Sequence, residues 1–239
     1  MHTTLTIARR ELSSLFFSPI AYVVLALFAA GAALIFFMGF GPGEPATLRT
    51  TFAGVVWLLI FLVPAISMRL VSEELRSGTI EPLMTAPVRD WQVIVGKWLG
   101  AMGFYLVLLT PLVVLTGVLL LHATPDLGPV FTGLLGLTLV GGLYLAIGAF
   151  ASATTQNQII AFLVTVFIIS LLTFLMYFLP RAAWVMPELR EVMFHLNVNG
   201  QFDDFNLGLI DLANFTYFLT GIALFLFLAV KVLESKRWC

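Results

Sequence analysis

EELRSGTIEPLMTAP, residues 73–87, holds four ionisable side chains, one glycine and two prolines. It stands between two apolar runs, FAGVVWLLIFLVPAISM at 52–68 and WLGAMGFYLVLLTPLVVLTGVLLL at 98–121. About 20 apolar residues cross the roughly 30 Å hydrocarbon core of a bilayer as a helix. The first run is short for that, and its helix is expected to continue into the charged stretch. Two such runs joined by a charged segment rich in helix breakers read as a helical hairpin through a membrane.

Working outward, four more runs have the same character: 20–40, 130–151, 159–179 and 212–230. Backbone groups must be paired inside lipid, and a barrel needs short strands of alternating polarity that this chain lacks. The expected fold is therefore an all-α integral membrane protein with six transmembrane helices, one membrane domain spanning 1–239. Composition agrees: 60% of the 239 residues are hydrophobic and 10% charged, against about a quarter charged in soluble domains. A net charge of −1 argues against nucleic acid as a partner. The sole cysteine, Cys239, can form neither a disulfide framework nor a zinc site. The first run is too long for the apolar core of a signal peptide and continues past its small residues as LIFFMGF, so it reads as an uncleaved span.

Six spans place both termini on one side. Of the 12 Lys and Arg residues, nine fall there (Arg9, Arg10, Arg69, Arg76, Arg89, Lys97, Lys231, Lys236, Arg237), and three fall opposite (Arg49, Arg181, Arg190). Acidic residues split six to seven. A bias in cations alone is the positive-inside pattern, so the termini and residues 73–87 are expected in the cytoplasm.

Four segments lie outside the apolar runs. Residues 5–17 space Leu5, Ala8, Leu12, Leu15 and Phe16 as a helix, with Arg9, Arg10 and Ser13 elsewhere on the wheel, stopped by Ser18–Pro19. This is an interfacial helix, serving as an anchor to the anionic leaflet or as a further contact to a cytoplasmic subunit. Over residues 69–90 the second helix runs on with Glu73 and Arg76 placed to pair. Gly78 suits a helix C-terminus, and Thr79 can cap a new helix at 80–85 with Glu81 and Pro82 in its first turn. So short a helix needs something to dock against. SATTQNQ at 152–158 is a small polar turn, or a second contact on the same face through Thr155, Gln156 and Asn157. The extracytoplasmic segment, 180–211, contains PELREVMFHL, an amphipathic helix, and then NVNGQFDDFNLGLID, with Phe202, Phe205, Leu207 and Leu209 among Asp203, Asp204 and Asp211. That composition fits a solvated loop as well as a segment lying along the interface as a cap or docking surface.

Several chemistries are absent from the sequence. The six apolar runs contain no ionisable residue, whereas ion-coupled carriers generally place one near mid-membrane. His2, His122 and His195 have no metal-ligand spacing, and neither HExxH nor G-x-S-x-G occurs. No run carries the histidine that an intramembrane serine protease needs. Gly96–Lys97 lacks both the earlier glycine and the following Ser/Thr of a phosphate loop. Gly96 and Gly100 form a GxxxG, and Gly133, Gly136, Gly141, Gly142 and Gly148 stud the fourth span. Such residues let helices approach closely, within one bundle or between two chains. If a chain with no coupling charge, nucleotide site or catalytic group moves anything uphill, the energy must come through another protein on the cytoplasmic side.

SEELRSGTIEPLMTAPVRDWQVIVGKWLG, 72–100, resembles the E-E-x-x-x-G-T-I-E-x-L-x-x-x-P-x-x-x-W-x-x-x-x-G-K segment of type-2 ABC exporter permeases. QFDDFNLGLIDLANFTYF, 201–218, is similar to the F-D-x-F-x-x-G-x-I-D segment of a narrower branch, the gliding-motility-type and nitrous-oxide-reductase-maturation permeases. The resemblance implies a non-catalytic transmembrane permease subunit in a bacterial cytoplasmic (inner) membrane. Its partners would be a dimer of cytoplasmic ABC ATPase subunits, a second permease copy or paralogue, membrane lipid and a periplasmic accessory protein. ATP and Mg would be bound by the ATPase and no cofactor by this chain. Glu73, Glu74, Gly78, Thr79, Glu81 and Pro87 match the segment that forms the family's coupling helix, with Leu83 and Met84 as its apolar contact; Pro82 departs from the commoner apolar residue. The branch implies that Phe202, Asp203, Phe205, Gly208 and Asp211 serve partner docking or gating. Two alternatives from other classes are a membrane scaffold that transmits force without transporting a small molecule, and a passive channel with no ATPase.

Overall fold

The structure, a computed structural model, describes residues 2–39, 41, 46–79, 88–182 and 185–236. The expected helix at 80–85, with Glu81, Leu83, Met84 and the following Pro87, lies outside the described residues. Six helices are long and apolar enough to cross a membrane: Pro19–Met38, Arg49–Ser77, Asp90–His122, Leu127–Thr154, Gln158–Arg181 and Leu212–Lys236. Each contains one of the six apolar runs or nearly all of it, and no strand occurs among the described residues. The chain is an all-α membrane protein.

The helices are numbered in chain order. An N-terminal helix, α1 (His2–Phe16), precedes the first span, α2 (Pro19–Met38). The second span is α3 (Arg49–Ser67), followed after a short turn by α4 (Ser72–Ser77). The third is α5 (Asp90–Leu108) continued by α6 (Thr110–His122). Their junction falls at Pro111, which has no N–H to offer the Val107 carbonyl; the Thr110 hydroxyl donates to that oxygen instead, at 2.7 Å. The fourth span is α7 (Leu127–Thr154), and the fifth is α8 (Gln158–Ser170), prolonged by a π-helical turn at Leu171–Leu175. Two short helices, α9 (Pro187–Leu196) and α10 (Val198–Leu207), lead to the last span, α11 (Leu212–Lys236).

The axle of the bundle is α7, and its glycines show why. Between helices in lipid no hydrophobic force acts, so close packing has to hold them together. A Cβ on Gly133 would strike the Phe52 ring, one on Gly141 the Tyr105 ring, and one on Gly148 the Ser67 side chain. Each glycine is thus a socket for a side chain of a neighbouring helix. Tyr105 fills its socket so that its hydroxyl reaches the Leu137 carbonyl at 2.7 Å, and the Trp98 indole N–H donates to the Gly142 carbonyl at 3.0 Å. These contacts lie within one chain, and so do those of the GxxxG. A Cβ on Gly96 would meet Ile7 and the Thr4 carbonyl; one on Gly100 would meet the Ala8 carbonyl and Glu11.

That glycine groove changes the reading of α1. Its apolar side, with Ala8 and Leu15 buried, is spent on α5 rather than on lipid, and Phe16 stacks edge-on against Phe104 at 5.3 Å. Leu5 and Phe17 face outward, at 69% and 88% exposure. The third-span helix begins at Asp90, a full two turns before the apolar run at 98–121. Arg89 donates its backbone N–H to the Gln92 side chain at 3.0 Å, which starts the helix early. Lys97 is therefore inside a helix, and only 3% exposed. The apolar runs are free of charge as read, but the helices that contain them are not.

Candidate functional site

Two clusters, at opposite ends of α7, gather the residues that the sequence singled out. At the α4 end, Pro64 interrupts the hydrogen bonding of α3, and the chain turns at residues 68–71 before α4 begins. The turn leaves backbone groups without helical partners. Ser152, on the last turns of α7, takes them up. Its oxygen accepts from the Val71 and Ser72 N–H groups, both at 2.9 Å, and its hydroxyl donates to the Met68 carbonyl at 3.0 Å. The Ser72 hydroxyl donates to the same carbonyl at 2.5 Å. One buried hydroxyl thus pins the start of α4 to α7.

Halfway along, α4 is pinned again. Glu74 Oε1 lies 2.9 Å from Lys97 Nζ, and Glu11 Oε2 lies 3.1 Å from the same nitrogen. The side chains are 16%, 14% and 4% exposed for Glu74, Glu11 and Lys97. The pairing expected between Glu73 and Arg76 is replaced by this one, because Glu74 faces α5 while Glu73 and Arg76 point to solvent. Beside the triad is a polar cleft of about 190 Å³, rimmed by Arg10, Arg69, Glu73 and Thr79. Arg69 crosses to α1 and donates to the Ser14 carbonyl at 3.1 Å.

α4 ends where the sequence places its end. Gly78 has φ +70°, and nothing stands within 4 Å of the position of a Cβ, so backbone conformation rather than space calls for glycine. Thr79 is exposed, its hydroxyl 2.8 Å from that of Ser77. Across from α4, Thr155 Oγ1 accepts from the Asn157 N–H at 3.1 Å, and Asn157 Oδ1 caps α8 through the Ile159 N–H at 2.9 Å. Both are turn-forming residues, and Gln156 between them is exposed.

At the other end the segment expected outside the membrane folds back into the bundle. Asn199, near the start of α10, donates to the carbonyl of Thr173 at 3.2 Å. Thr173 sits in the π turn, eight residues before Arg181 where that span ends, which is about 12 Å along a helix. The Thr173 hydroxyl also shares a hydrogen bond with Tyr144 at 2.5 Å. Further along α10, Phe202 and Phe205 are 1% and 0% exposed, and both lie against Gly136. The Thr132 hydroxyl donates to the Phe205 carbonyl at 2.7 Å, and the Asn206 amide to the Arg49 carbonyl at 3.0 Å. Neither phenyl ring is available to an external partner while α10 is seated, which departs from the partner-docking reading of that motif.

The other members of that motif have local tasks. Gly208 ends α10 with φ +96° and packs against Pro129, and Asp211 Oδ1 caps α11 through the Ala213 N–H at 3.0 Å. Asp204 Oδ2 accepts from the Asn214 amide at 2.6 Å. Asp203 is exposed; partial burial, and then the Asp204 carboxylate, raise its carboxyl above the ordinary value, with Arg181 acting against them.

Lys97, Glu11 and Ser152 are the residues that sequence reasoning misses. A serine in the last turns of an apolar helix carries no local sign of its partners. Lys97 reads from sequence only as one more cytoplasmic cation.

A family model described as ABC-2 family transporter protein matches residues 43–230. Among curated proteins none matches the chain.

Proposed function

We propose that this chain, which belongs to the ABC-2 family of transporter proteins, is the permease that receives the stroke of a separate ATPase and turns it into export across the membrane. The observation that carries the reading is the bracing of α4. Six residues do not make a stable helix in isolation, yet α4 is held at its start by Ser152 and at its middle by Lys97, and then opens through Gly78 directly into residues 80–87. A short arm fixed at two points and ending in the family's coupling motif is suited to taking a push. Glu73, Thr79, Glu81, Leu83, Met84 and Pro87 would form the contact with the ATPase, while Glu74 works inward. Thr155, Gln156 and Asn157 would flank it on the same face.

In this reading the α4 end faces the cytoplasm, both termini with it, in a bacterial inner membrane. The cation bias of the loops supports that orientation. ATP and Mg are bound by the ATPase pair, and this chain contributes no catalytic group. Two copies of the permease, or one with a paralogue, enclose the path. Likeness of residues 201–218 to the gliding-motility and nitrous-oxide-reductase branch supports a periplasmic partner at the α10 end, where Asp203 and Asp211 are the exposed members of the motif.

Co-purification tests the reading. Glu81→Lys is expected to lower recovery of the ATPase with the permease by about tenfold, the size of a lost charge-assisted contact. Full recovery together with unchanged stimulated hydrolysis would remove residues 73–87 from the interface. Thr79→Cys is expected to react with an impermeant maleimide only in inverted vesicles; reaction in intact cells would reverse the orientation.

A further inference from the structure

Two of the three charges in the buried triad belong to helices outside the proposed ATPase contact. Lys97 comes from α5 and Glu11 from α1, and they meet Glu74 of α4 at one point. We infer that Lys97 is a positioning residue that makes α1 move with α4, so that the N-terminal helix is a second output of the coupling segment. This rests on the proposed function above.

Stability alone does not account for the triad. Burying an ammonium between two carboxylates incurs a large desolvation penalty, and apolar side chains of similar volume commonly do as well or better. What a triad adds is a defined geometry between three elements. The α1–α5 contact is rigid without it, because Gly96 and Gly100 on either side of Lys97 leave no room for even a Cβ against the α1 backbone. The α4 contact is different. Beyond the Ser152 clamp, Leu75 packs half-buried against the core and the ion pair of Glu74 ties α4 to α5. A tilt of α4 about Ser152 is then passed through the triad to α5 and to the α1 packed on it.

The triad also has slack of the kind a pivot needs. Glu74 Oε2 is buried and has no hydrogen-bond partner. As α4 tilts, that second oxygen can turn to Lys97 while the first leaves, and the ion pair persists through the motion. Glu11, on the opposite side of the ammonium, is drawn along with it. The outer face of α1 carries Arg9, Arg10 and Ser13 and is exposed, so none of the described residues blocks its displacement. From α1 the motion passes through Ser18 into α2, whose Ala21 N–H donates to the Ser18 carbonyl at 3.2 Å.

The test uses the full-length permease reconstituted with its ATPase, with Cys239→Ser as background. A maleimide reports on Ser14→Cys, exposed on α1, and separately on Ser77→Cys, exposed at the end of α4. Trapping the ATPase with ATP and vanadate is expected to change the labelling rate at both sites by about fivefold or more. In Lys97→Met/Glu11→Gln, which leaves no like-charged buried pair, the response at position 77 persists and that at position 14 disappears. Glu11→Gln alone, isosteric and retaining the Lys97–Glu74 pair, is the second variant and is expected to keep the response at both positions, because α1 stays packed on α5 through Gly96 and Gly100. Lys97→Arg, which keeps the charge, is expected to keep both responses as well. A response at position 14 that survives the double variant would make the triad merely structural and overturn the inference. A wild-type complex in which 77 responds and 14 does not would overturn it as well. Failure of the wild type to bind the ATPase would instead bring down the functional reading on which it stands.

Discussion

At one end of α7 a serine hydroxyl takes two backbone donors and a lysine lies between two carboxylates; at the other, asparagine amides reach carbonyls and two phenyl rings lodge against a glycine. Both ends solve the same problem, which is to seat a short helix that could not stand alone against a long one. They solve it with different chemistry. The α4 end uses few, strong, polar contacts around an open turn, with Leu75 half-buried beside them. The α10 end uses distributed packing, with Phe202 and Phe205 at its centre. The first is a helix braced at two points, the second a helix seated in a groove.

Substitutions can break this contrast, and trypsin reads both ends at once, through Arg76 and Arg89 near α4 and Arg181 and Arg190 near α9. The largest effect is expected from Lys97→Met. It strands two buried carboxylates facing each other and costs about 4 kcal/mol, with faster cleavage at Arg76 and little change at Arg190. Gly136→Val should do the reverse. Its side chain would occupy the space of both phenyl rings, costing about 3 kcal/mol and opening Arg181 and Arg190 to cleavage. Cleavage that rises at both ends in either variant would show that the ends are one cooperative unit. Ser152→Ala comes next, at about 2 kcal/mol for buried N–H groups left unpaired, again felt at Arg76. Asn199→Ala should cost about 1 kcal/mol, a small loss because α10 keeps its packing.

The smallest effect sharpens the contrast through pH. The Asp203 carboxyl is raised in the folded protein, so its proton is held more tightly there than in the unfolded chain. Its contribution to stability is present below the unfolded value and is lost as pH rises through the folded one. Asp203→Asn should slightly raise thermal stability at neutral pH and remove part of the pH dependence on the acid side, with no effect on cleavage at Arg76. An unchanged melting profile between pH 4 and 7 would mean that neither burial nor the Asp204 carboxylate raises the Asp203 carboxyl.

Much of this architecture is legible from local pattern. The six spans follow from apolar runs, the end of α4 from Gly78, and α9 from the amphipathic spacing of PELREVMFHL. Helix ends are less legible. Arg89 and Gln92 start a helix by capping, which an apolar count ignores, and so the count leaves Lys97 outside the helix that buries it. Residues 198–207 read equally as a solvated loop or as a segment along the interface, because Asn and Asp are mixed there with Phe202, Phe205 and Leu207. Their amides point to carbonyls on α3 and on the π turn that prolongs α8, from which they are separated by up to 157 positions.

By itself the sequence determined that this chain crosses a membrane six times, since the length of an apolar run and the spacing of charges are properties of neighbouring residues. It also determined where α4 stops, since a left-handed residue after a helix is a local demand that glycine meets. Only the tertiary structure decided which glycine receives which ring, that Ser152 completes the hydrogen bonding of a turn about 80 residues away, and that Lys97 joins three helices. A buried polar group is tolerated only where its partners converge, and convergence of distant segments is written in no single stretch of chain.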